Sequence, residues 1–253
     1  MEERLPLITS ILAGLCLVTL AYGCTDPATT GPNTTPVTTP SYTLISTPFQ
    51  ESGIDPPYQI NAELPLLLEN QQLPVEHFNQ LVDALVRGNI ASFRNNVLEK
   101  SPDPPISVGS SYNLKYDQLS PLGQIISLKF MINTYFDGAA HPGEQNLTFT
   151  YDLVAGQKLN LEQLFVLGSD YLDRIASSCK MQLNLRDIAY NEAGADPTVE
   201  NYHNWNITAD GLLITFDMYQ VAAAAAGSQT VLVPYGELRE IIDSHGPLVG
   251  LLK

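Results

Sequence analysis

The chain has few cysteines and few basic residues, and both shortages limit what it can be. Its 253 residues include three cysteines and 12 Lys or Arg residues against 27 Asp or Glu residues, for a formal net charge of −15. Nucleic acid is not expected as a partner, because phosphate binding needs clustered Lys and Arg. A basic protein or a cation fits this charge better, although acidity also simply keeps a protein soluble.

Catalytic and metal-binding patterns are missing as well. The four histidines stand singly, and the sequence holds no His-x-x-x-His, Cys-x-x-Cys, nucleophile-elbow or phosphate-binding glycine pattern. A hydrolase needs a nucleophile beside a base, or a metal held by several ligands. We therefore predict no catalytic residue, no metal and no cofactor, and we expect a protein that is not an enzyme.

The N-terminal segment predicts export. A short charged start precedes an apolar run from Leu5 to Ala21, which ends in Gly23-Cys24, a sequence typical of a bacterial lipobox. We predict a lipoprotein signal peptide at residues 1–23 and lipidation of Cys24. The alternative is an uncleaved signal anchor, because the run is about long enough to span a bilayer. Either form predicts an extracytoplasmic, membrane-anchored protein of the bacterial cell envelope.

The cysteines leave no disulfide framework. With Cys16 inside the signal and Cys24 lipidated, Cys179 has no partner. Stability must then come from the hydrophobic core. Cys179 lies in a helical pattern without a nearby His or Asp, which favours a buried, inert thiol over a nucleophile.

The remaining sequence divides into a linker and a folded region. Residues 24–55 are rich in Thr and Pro and lack a periodic apolar pattern, which predicts a linker. Beyond it, alternating apolar residues predict strands, and apolar residues at helical spacing predict a helix that opens at Leu73-Pro74 and continues through Val97. The expected strands lie at residues 58–64, 112–116, 125–136 and 147–153.

The C-terminal half adds two helices and a hairpin. Helices are expected at residues 169–186 and 235–242, with Ser169-Asp170 as the first helix's N-cap. A hairpin is expected across Asp210-Gly211, followed by a strand at 229–233. Together the elements predict an α+β fold, with helices packed against a twisted antiparallel sheet.

Residues at the ends of predicted strands form the candidate site. Asp137 and Asp217 each follow an aromatic residue, and paired carboxylates perform glycoside hydrolysis when they lie within about 10 Å of each other. A carboxylate that closes a strand is nevertheless more often a turn former. His141, in the turn that follows Asp137, either ties the turn to a carbonyl or to Asp137, or contacts a ligand and makes binding pH-sensitive.

Several blocks of the sequence resemble one family. Tyr135–Pro142, Leu147–Phe165, Asp210–Val221 and Val233–Leu238 are similar, in this order, to the RsiV-like extracytoplasmic domain family. That family includes lysozyme-sensing anti-sigma factors and the module fused to some peptidoglycan deacetylases. By this resemblance, residues 121–253 are identified as the RsiV-like domain and residues 56–120 as its N-terminal companion domain. The resemblance implies two sequential subdomains in one compact ectodomain.

The resemblance also implies a binding role. The sequence shows neither a sigma-binding segment before the apolar run nor a deacetylase domain after it, so we expect the binding module alone. We predict a cell-surface lipoprotein that binds a cell-wall-related ligand, such as a lysozyme-like basic protein or peptidoglycan. The candidate ligand-binding residues are Tyr135, Asp137, His141, Asp217 and Tyr219. The alternatives are a wall-glycan hydrolase that uses Asp137 and Asp217, or a non-catalytic structural envelope protein.

Overall fold

The computed structural model describes residues 42–68, 75–100, 102, 104–106, 109–120 and 124–251. All of these residues belong to one structural unit, Thr39–Lys253. The predicted signal peptide, Cys24 and residues 24–41 of the predicted linker lie outside the described residues. The described strands and helices are, in chain order, β1 Leu44–Ile54, β2 Pro57–Leu67, α1 Val75–Lys100, β3 Ser110–Gln118, β4 Ile125–Tyr135, β5 Gly143–Asp152, β6 Gln157–Lys158, α2 Tyr171–Asn184, β7 Trp205–Ile207, β8 Gly211–Phe216, β9 Gln229–Pro234 and α3 Tyr235–Leu238.

The first six strands form one sheet in sequence order. All neighbouring strands are antiparallel except β2 and β3, which run parallel. The parallel pair follows from α1, because two parallel neighbours need a long crossover connection and α1 supplies it. The predicted α+β class is confirmed, and the sheet is mixed where it was expected to be wholly antiparallel.

Helix α1 covers one face of this sheet. Its buried residues recur at helical spacing, and Phe78, Val82 and Ile90 are at most 1% exposed. They belong to the same buried cluster as Leu114 of β3 and Phe130 of β4, which point to the α1 side of the sheet. The predicted apolar stripe of this helix is therefore confirmed. Since apolar burial is the dominant favourable term in folding, this contact anchors the N-terminal half of the fold.

A second sheet and a second core lie in the C-terminal half. Strands β7, β8 and β9 form an antiparallel three-stranded sheet, and the predicted hairpin is its first pair. Helix α2 packs against it through a buried stripe that includes Ile175, Cys179 and Leu183. Cys179 is fully buried, as predicted, and burial raises the pKa of its thiol to about 12. At that pKa the thiol is protonated near neutral pH and is a poor nucleophile.

A buried polar network joins the two sheets. The Asn206 amide of β7 donates to the Ser127 hydroxyl and to the Leu128 carbonyl of β4, both at 2.9 Å. The Ile207 amide also donates to the Ser127 hydroxyl, at 3.1 Å. With both lone pairs of this oxygen used, Ser127 donates its own proton to the Thr150 hydroxyl, 2.9 Å away. The face of β4 and β5 opposite α1 is thus fixed against the second sheet.

The predicted linker ends earlier than expected. Its last part, residues 44–54, forms β1, which pairs with β2 along its whole length. Pro48 and the many Thr and Ser residues hid this strand in the sequence. A proline is tolerated there because β1 lies at the edge of the sheet, where one side of the strand needs no backbone donor.

The last predicted helix is shorter than expected. Helix α3 spans Tyr235–Leu238, whereas the sequence pattern predicted a helix through residue 242. The chain leaves the helix to bond with the segment before α2, because the Val166 amide donates to the Ile241 carbonyl and the Asp243 amide donates to the Leu164 carbonyl. The Ile241 and Ile242 amides still bond to the Leu238 carbonyl, so a turn follows the helix before these tertiary hydrogen bonds direct the chain away.

Candidate functional site

One pocket of the described residues combines aromatic and polar groups and lies where the first sheet meets the C-terminal half. It has a volume of about 320 Å³ and lies between β5, residues 158–162, the start of α2 and the segment 199–205. Its lining residues are Thr148, Thr150, Lys158, Leu159, Asn160, Leu161, Glu162, Tyr171, Leu172, Val199, Tyr202, His203 and Trp205. We call this pocket the Trp205 cleft. Its size is at the lower end of the range of small-ligand sites.

Local structure fixes the walls of the Trp205 cleft. The Thr148 hydroxyl accepts a hydrogen bond from the Trp205 amide at 3.1 Å, which ties β5 to β7. The Asn160 amide donates to the Gln163 side chain at 2.7 Å and so caps the short 3₁₀ turn Leu161–Leu164. Tyr171 stacks on Phe165, with ring centroids 5.1 Å apart. The cleft therefore has walls held by hydrogen bonds and ring packing before any ligand arrives.

A histidine and an aspartate form an ion pair at the edge of the cleft. The His203 Nε2 atom lies 3.4 Å from the Asp217 Oδ2 atom. The same carboxylate accepts hydrogen bonds from the Asn204 side chain and from the Asn146 backbone amide, both at 3.2 Å. Asp217 follows β8, and its position is fixed further by its own amide, which donates to the Gln220 side chain.

The pair shifts the pKa of both members. The hydrogen bond with Asp217 raises the pKa of His203 above its ordinary value, against the opposing effect of burial. Burial acts to raise the pKa of Asp217, but the hydrogen bonds from His203 and Asn146 outweigh it and lower that pKa overall. An imidazolium beside a carboxylate is the form that these shifts favour.

The arrangement suits binding better than proton transfer. His203 Nδ1 contacts the Glu200 carbonyl at 2.5 Å, and a carbonyl oxygen requires Nδ1 to be the donor. Nε2 lies 3.0 Å from the Asn204 side-chain nitrogen and 3.4 Å from Asp217, so both ring nitrogens are engaged. The Thr148 hydroxyl, which also lines the cleft, bonds to backbone groups of Trp205 and His203. Neither His203 nor Thr148 has the free geometry of a base beside a nucleophile.

The structure places Asp137 in a structural position. This residue is 6% exposed, its Oδ2 atom accepts a hydrogen bond from the Ile106 amide, and its own amide donates to the Ser110 hydroxyl. The carboxylate thus ties the β4–β5 turn to the segment before β3, and the Asp137 amide ties it to Ser110 at the start of β3. The next residue, Gly138, has a φ of 84°, as expected for the glycine of a tight turn.

The other predicted residues are more exposed. His141 Nδ1 contacts the Pro142 carbonyl at 3.0 Å, which matches the carbonyl contact expected for a turn-stabilising role. Tyr135 is half-buried at the end of β4. Tyr219 is 59% exposed and has a φ of 70°, a backbone conformation that non-glycine residues rarely adopt. The ligand-binding role of all five residues stays a prediction.

The strand register separates Asp137 from Asp217. Asp217 bonds to the Asn146 amide, and Asn146 lies opposite Met131 of β4. Asp137 lies beyond Tyr135, and the four residues from Met131 to Tyr135 cover about 13 Å at the usual rise of a strand. This spacing does not favour the paired carboxylates of a glycosidase, which need a separation of about 10 Å or less.

The sequence patterns did not predict the residues of the Trp205 cleft. His203 and Trp205 lie two residues apart, but Tyr171 and Lys158 come from other parts of the chain, so no local motif joins the lining residues. One signal was present, because the single tryptophan of the chain begins the predicted hairpin and follows a histidine by two residues. Within the part of the chain that the structure describes, no group of three or more His, Cys, Asp or Glu residues could hold a metal ion. No helix among the described residues is long and apolar enough to cross a membrane.

Curated relatives are modest in identity and vary in coverage. The chain is 29% identical over 135 residues to the peptidoglycan-N-acetylmuramic acid deacetylase PdaC of Bacillus subtilis, a match that covers 51% of this chain but 29% of the deacetylase. It is 26% identical to Esterase Rv3036c of Mycobacterium tuberculosis, over 71% of this chain and 76% of the esterase. It is also 26% identical to the immunogenic protein MPT64 of the same species, over 75% of this chain and 78% of that protein.

Solved structures show the same fold. A DUF3298 family member from Bacteroides fragilis superposes with a TM-score of 0.65 at 15% identity and covers 85% of this chain and 98% of its own. A DUF3298 family protein from Pseudomonas aeruginosa gives a TM-score of 0.55 at 14% identity and covers 80% of this chain and 94% of its own. The family model described as "Protein of unknown function (DUF3298)" matches residues 162–236, which include α2, β7, β8 and β9. The chain therefore contains a DUF3298 domain.

Proposed function

We propose that the protein is a non-catalytic binding module for peptidoglycan, and that the Trp205 cleft takes a sugar unit with its attached peptide stem. The observation that carries this proposal is the lining of the cleft. Tyr171 is partly exposed and supplies aromatic surface for the apolar face of a sugar ring, backed by the nearly buried Trp205 and Tyr202, while Asn160 and Glu162 supply hydrogen-bonding groups. Lys158, on the same wall, offers a cation to a carboxylate of the stem.

The relatives support a role at the cell wall. The deacetylase relative acts, by its name, on peptidoglycan. The matched segment is less than a third of that enzyme. We therefore propose for this protein an association with the cell wall and not the deacetylase activity. We also propose that the C-terminal half is an RsiV-like domain, because the residue blocks that resemble that family overlap the DUF3298 match at residues 162–236.

The test uses the tryptophan as an internal probe. Trp205 is the single tryptophan of the chain and lines the cleft, so a muropeptide that enters the cleft should change its fluorescence emission in a saturable way. We expect Glu162→Ala and His203→Ala each to weaken the binding, and Leu167→Ala, a fully exposed position outside the lining, to leave it unchanged. A wild-type protein that neither changes its emission nor is retained on insoluble peptidoglycan would contradict the proposal.

A basic protein is the second candidate ligand, and the net charge of −15 favours it. Opposite charge accelerates encounter between proteins, and salt screens this attraction. Lysozyme should then bind at low ionic strength and dissociate as salt is added. Lack of binding at low ionic strength would reject this candidate without affecting the peptidoglycan proposal.

We further propose that the protein is held at the outer side of a bacterial membrane through Cys24. The Gly23-Cys24 sequence after the apolar run supports this placement. Cys24→Ser should abolish lipid labelling of the protein and release it from the membrane fraction. Labelling that persists in this variant would show that Cys24 is not the anchor.

A further inference from the structure

The face of the six-stranded sheet opposite α1 is exposed over β1, β2 and β3 and carries an unusual row of side chains. In the strand register, Gln50 lies opposite Asn61, Asn61 opposite Asn113, and Asn113 opposite Asn133. Side chains that are directly opposite in a sheet point to the same face. The four amides therefore stand in one line across four strands, and all four residues are exposed. We call them the amide row.

The amide row points away from the core. On each of its strands, the residues on either side in sequence point toward α1, as shown by Glu51, which binds Arg94 of the helix, and by Ile60 and Leu114 in the buried cluster. Neighbouring strands lie about 4.8 Å apart, so the row extends about 14 Å across the sheet. Within it, the Asn61 side chain donates to the Asn113 side chain at 3.4 Å. Each amide carries two donor protons and an acceptor oxygen, so most of the row's hydrogen-bonding groups face outward.

A second row of uncharged residues runs beside the first. Ser52 lies opposite Gln59, Gln59 opposite Ser111, and Ser111 opposite Tyr135. This row is two residues further along the strands, or about 7 Å away. Tyr135, which the sequence predicted as a ligand-binding residue, thereby contributes an aromatic ring to the same face.

The composition of this face departs from that of ordinary exposed strands. Asn and Gln are not favoured in strands, and Asn in particular is depleted there, so intrinsic propensity does not explain three asparagines in line. Exposed positions of an edge region usually carry charges, which prevent association. Here the eight positions of the two rows carry none, in a strongly acidic chain with 27 Asp or Glu residues. The charged residues of this face, among them Glu63, Lys115 and Glu144, lie outside the two rows. The uncharged patch that the two rows form is rich in donors and acceptors, and it complements a neutral, hydroxyl-rich ligand.

We infer that the amide row binds a linear glycan chain with N-acetyl groups, laid across the strands. Hydroxyl and acetamido groups along such a chain pair with the donors and acceptors of Gln50, Asn61, Asn113 and Asn133, and the Tyr135 ring stacks on a sugar face. Glu144 continues the row on β5, where it accepts a hydrogen bond from Ser228 of the C-terminal half and so closes that end. The amide row lies apart from the Trp205 cleft and would bind the glycan polymer, whereas the cleft would bind one sugar with its peptide stem. This inference rests on the proposed function of peptidoglycan binding.

The experiment compares oligomers of N-acetylglucosamine by calorimetry in about 0.5 M salt, where the Debye length falls to a few ångströms and charge attraction is screened. The wild-type protein should bind the hexamer more tightly than the dimer. The double variant Asn61→Ala/Asn113→Ala should lose about fivefold to tenfold in hexamer affinity, the effect of one or two net hydrogen bonds. Gln80→Ala, an exposed amide on α1, is the matched control and should bind as the wild type does.

Three results would overturn the inference. They are a hexamer that does not bind the wild-type protein, a double variant with unchanged hexamer affinity, and a deacetylated glucosamine hexamer that binds as tightly as the acetylated one. The last result would mean that the acidic protein attracts amines and does not read acetamido groups. Binding at the amide row should leave Trp205 emission unchanged, so loss of the muropeptide signal with intact hexamer binding would reject the cleft and leave the amide row in place.

Discussion

At the residue scale, Asn206 is one of the side chains that hold the two sheets together. It is fully buried, and its amide nitrogen serves both the Ser127 hydroxyl and the Leu128 carbonyl. A buried group that loses its partner keeps the full cost of its desolvation. The replacement of this one side chain therefore removes two hydrogen bonds and leaves two acceptors short of a donor.

We predict that Asn206→Ala lowers the free energy of unfolding by about 2 to 3 kcal/mol. Denaturant titration would measure this change. The control is Asn113→Ala, an exposed amide of the first sheet, which should stay within about 0.5 kcal/mol of the wild type. Equal effects of the two substitutions would mean that the polar network does not hold the sheets together.

The His203–Asp217 pair predicts a pH dependence of stability. The pKa of His203 is raised, so its contribution is complete below the unfolded value of about 6.5 and is lost as pH rises through the folded value. The pKa of Asp217 is lowered, so its contribution is present above its unfolded value and is lost as pH falls through the folded value. The pair is therefore intact between the two folded pKa values.

We expect His203→Gln to destabilise the protein at pH 5.5 more than at pH 8.5. The difference should be below about 1 kcal/mol, because the His203 side chain is half exposed and solvent screens the pair. His245→Gln is the control, since that side chain is 93% exposed and lies 3.7 Å from Asp243. A His203→Gln effect that is the same at both pH values would show that the pair does not contribute through its charge.

The sequence predicted individual residues of the candidate site, but it did not predict which residues contact them. Asp217 was found because it closes a strand, and the structure adds its partners His203 and Asn146, which come from other segments. Asp137 was found by the same rule, yet its carboxylate binds the Ile106 amide. A residue's place at a strand end is encoded locally, whereas the groups that meet it are set by the tertiary fold.

At the element scale, the glycines show why the same residue type has different roles. Gly88 lies on the exposed side of α1, and an added Cβ atom would meet no other atom within 4 Å. Gly211 begins β8, and an added Cβ atom there would lie 2.2 Å from the Val233 carbonyl oxygen of β9. The Asp210-Gly211 hairpin was predicted because glycine accepts a positive φ, but Gly211 is not among the positive-φ glycines. Its role is to allow the close approach of β9.

We predict opposite effects of alanine at these two positions. Gly88→Ala should stabilise the protein by about 0.5 to 1 kcal/mol, because alanine loses less backbone entropy in a helix. Gly211→Ala should destabilise it by more than that, because the backbones of β8 and β9 must move apart. Thermal unfolding of the two variants measures both signs. A stabilising Gly211→Ala would mean that the two strands are not held at this distance.

The elements were predictable where their patterns were local. Helix α1 and strand β4 show continuous periodic signals, and both were found close to their true bounds. Strand β1 was missed because its Thr, Ser and Pro residues suit a linker, and only its pairing with β2 makes it a strand. The parallel pairing of β2 with β3 was also missed, because the side-chain pattern of a strand does not show which strands lie beside it.

At the scale of the whole molecule, one sheet crosses the boundary predicted from the sequence at residues 120 and 121. Strand β3, before this boundary, pairs with β4, after it, from Ser111 to Gln118. The core beneath α1 likewise includes residues from both sides, such as Ile60 and Phe149. If either segment unfolds, the hydrogen bonds between β3 and β4 break, and the core that the two segments share is exposed to water. The two segments are therefore expected to depend on each other for stability.

We therefore predict a single cooperative unfolding transition of the described region. Trp205 fluorescence reports on the second core, in the C-terminal half, while far-ultraviolet circular dichroism at 222 nm is weighted toward α1, the longest described helix, in the N-terminal half. In a two-state transition, different probes give the same midpoint. Urea titrations followed by both signals should coincide, and a Gly88→Ala substitution in α1 should raise both midpoints equally. Midpoints that separate, or a substitution in α1 that moves only the dichroism signal, would show that residues 56–120 and 121–253 unfold as independent domains.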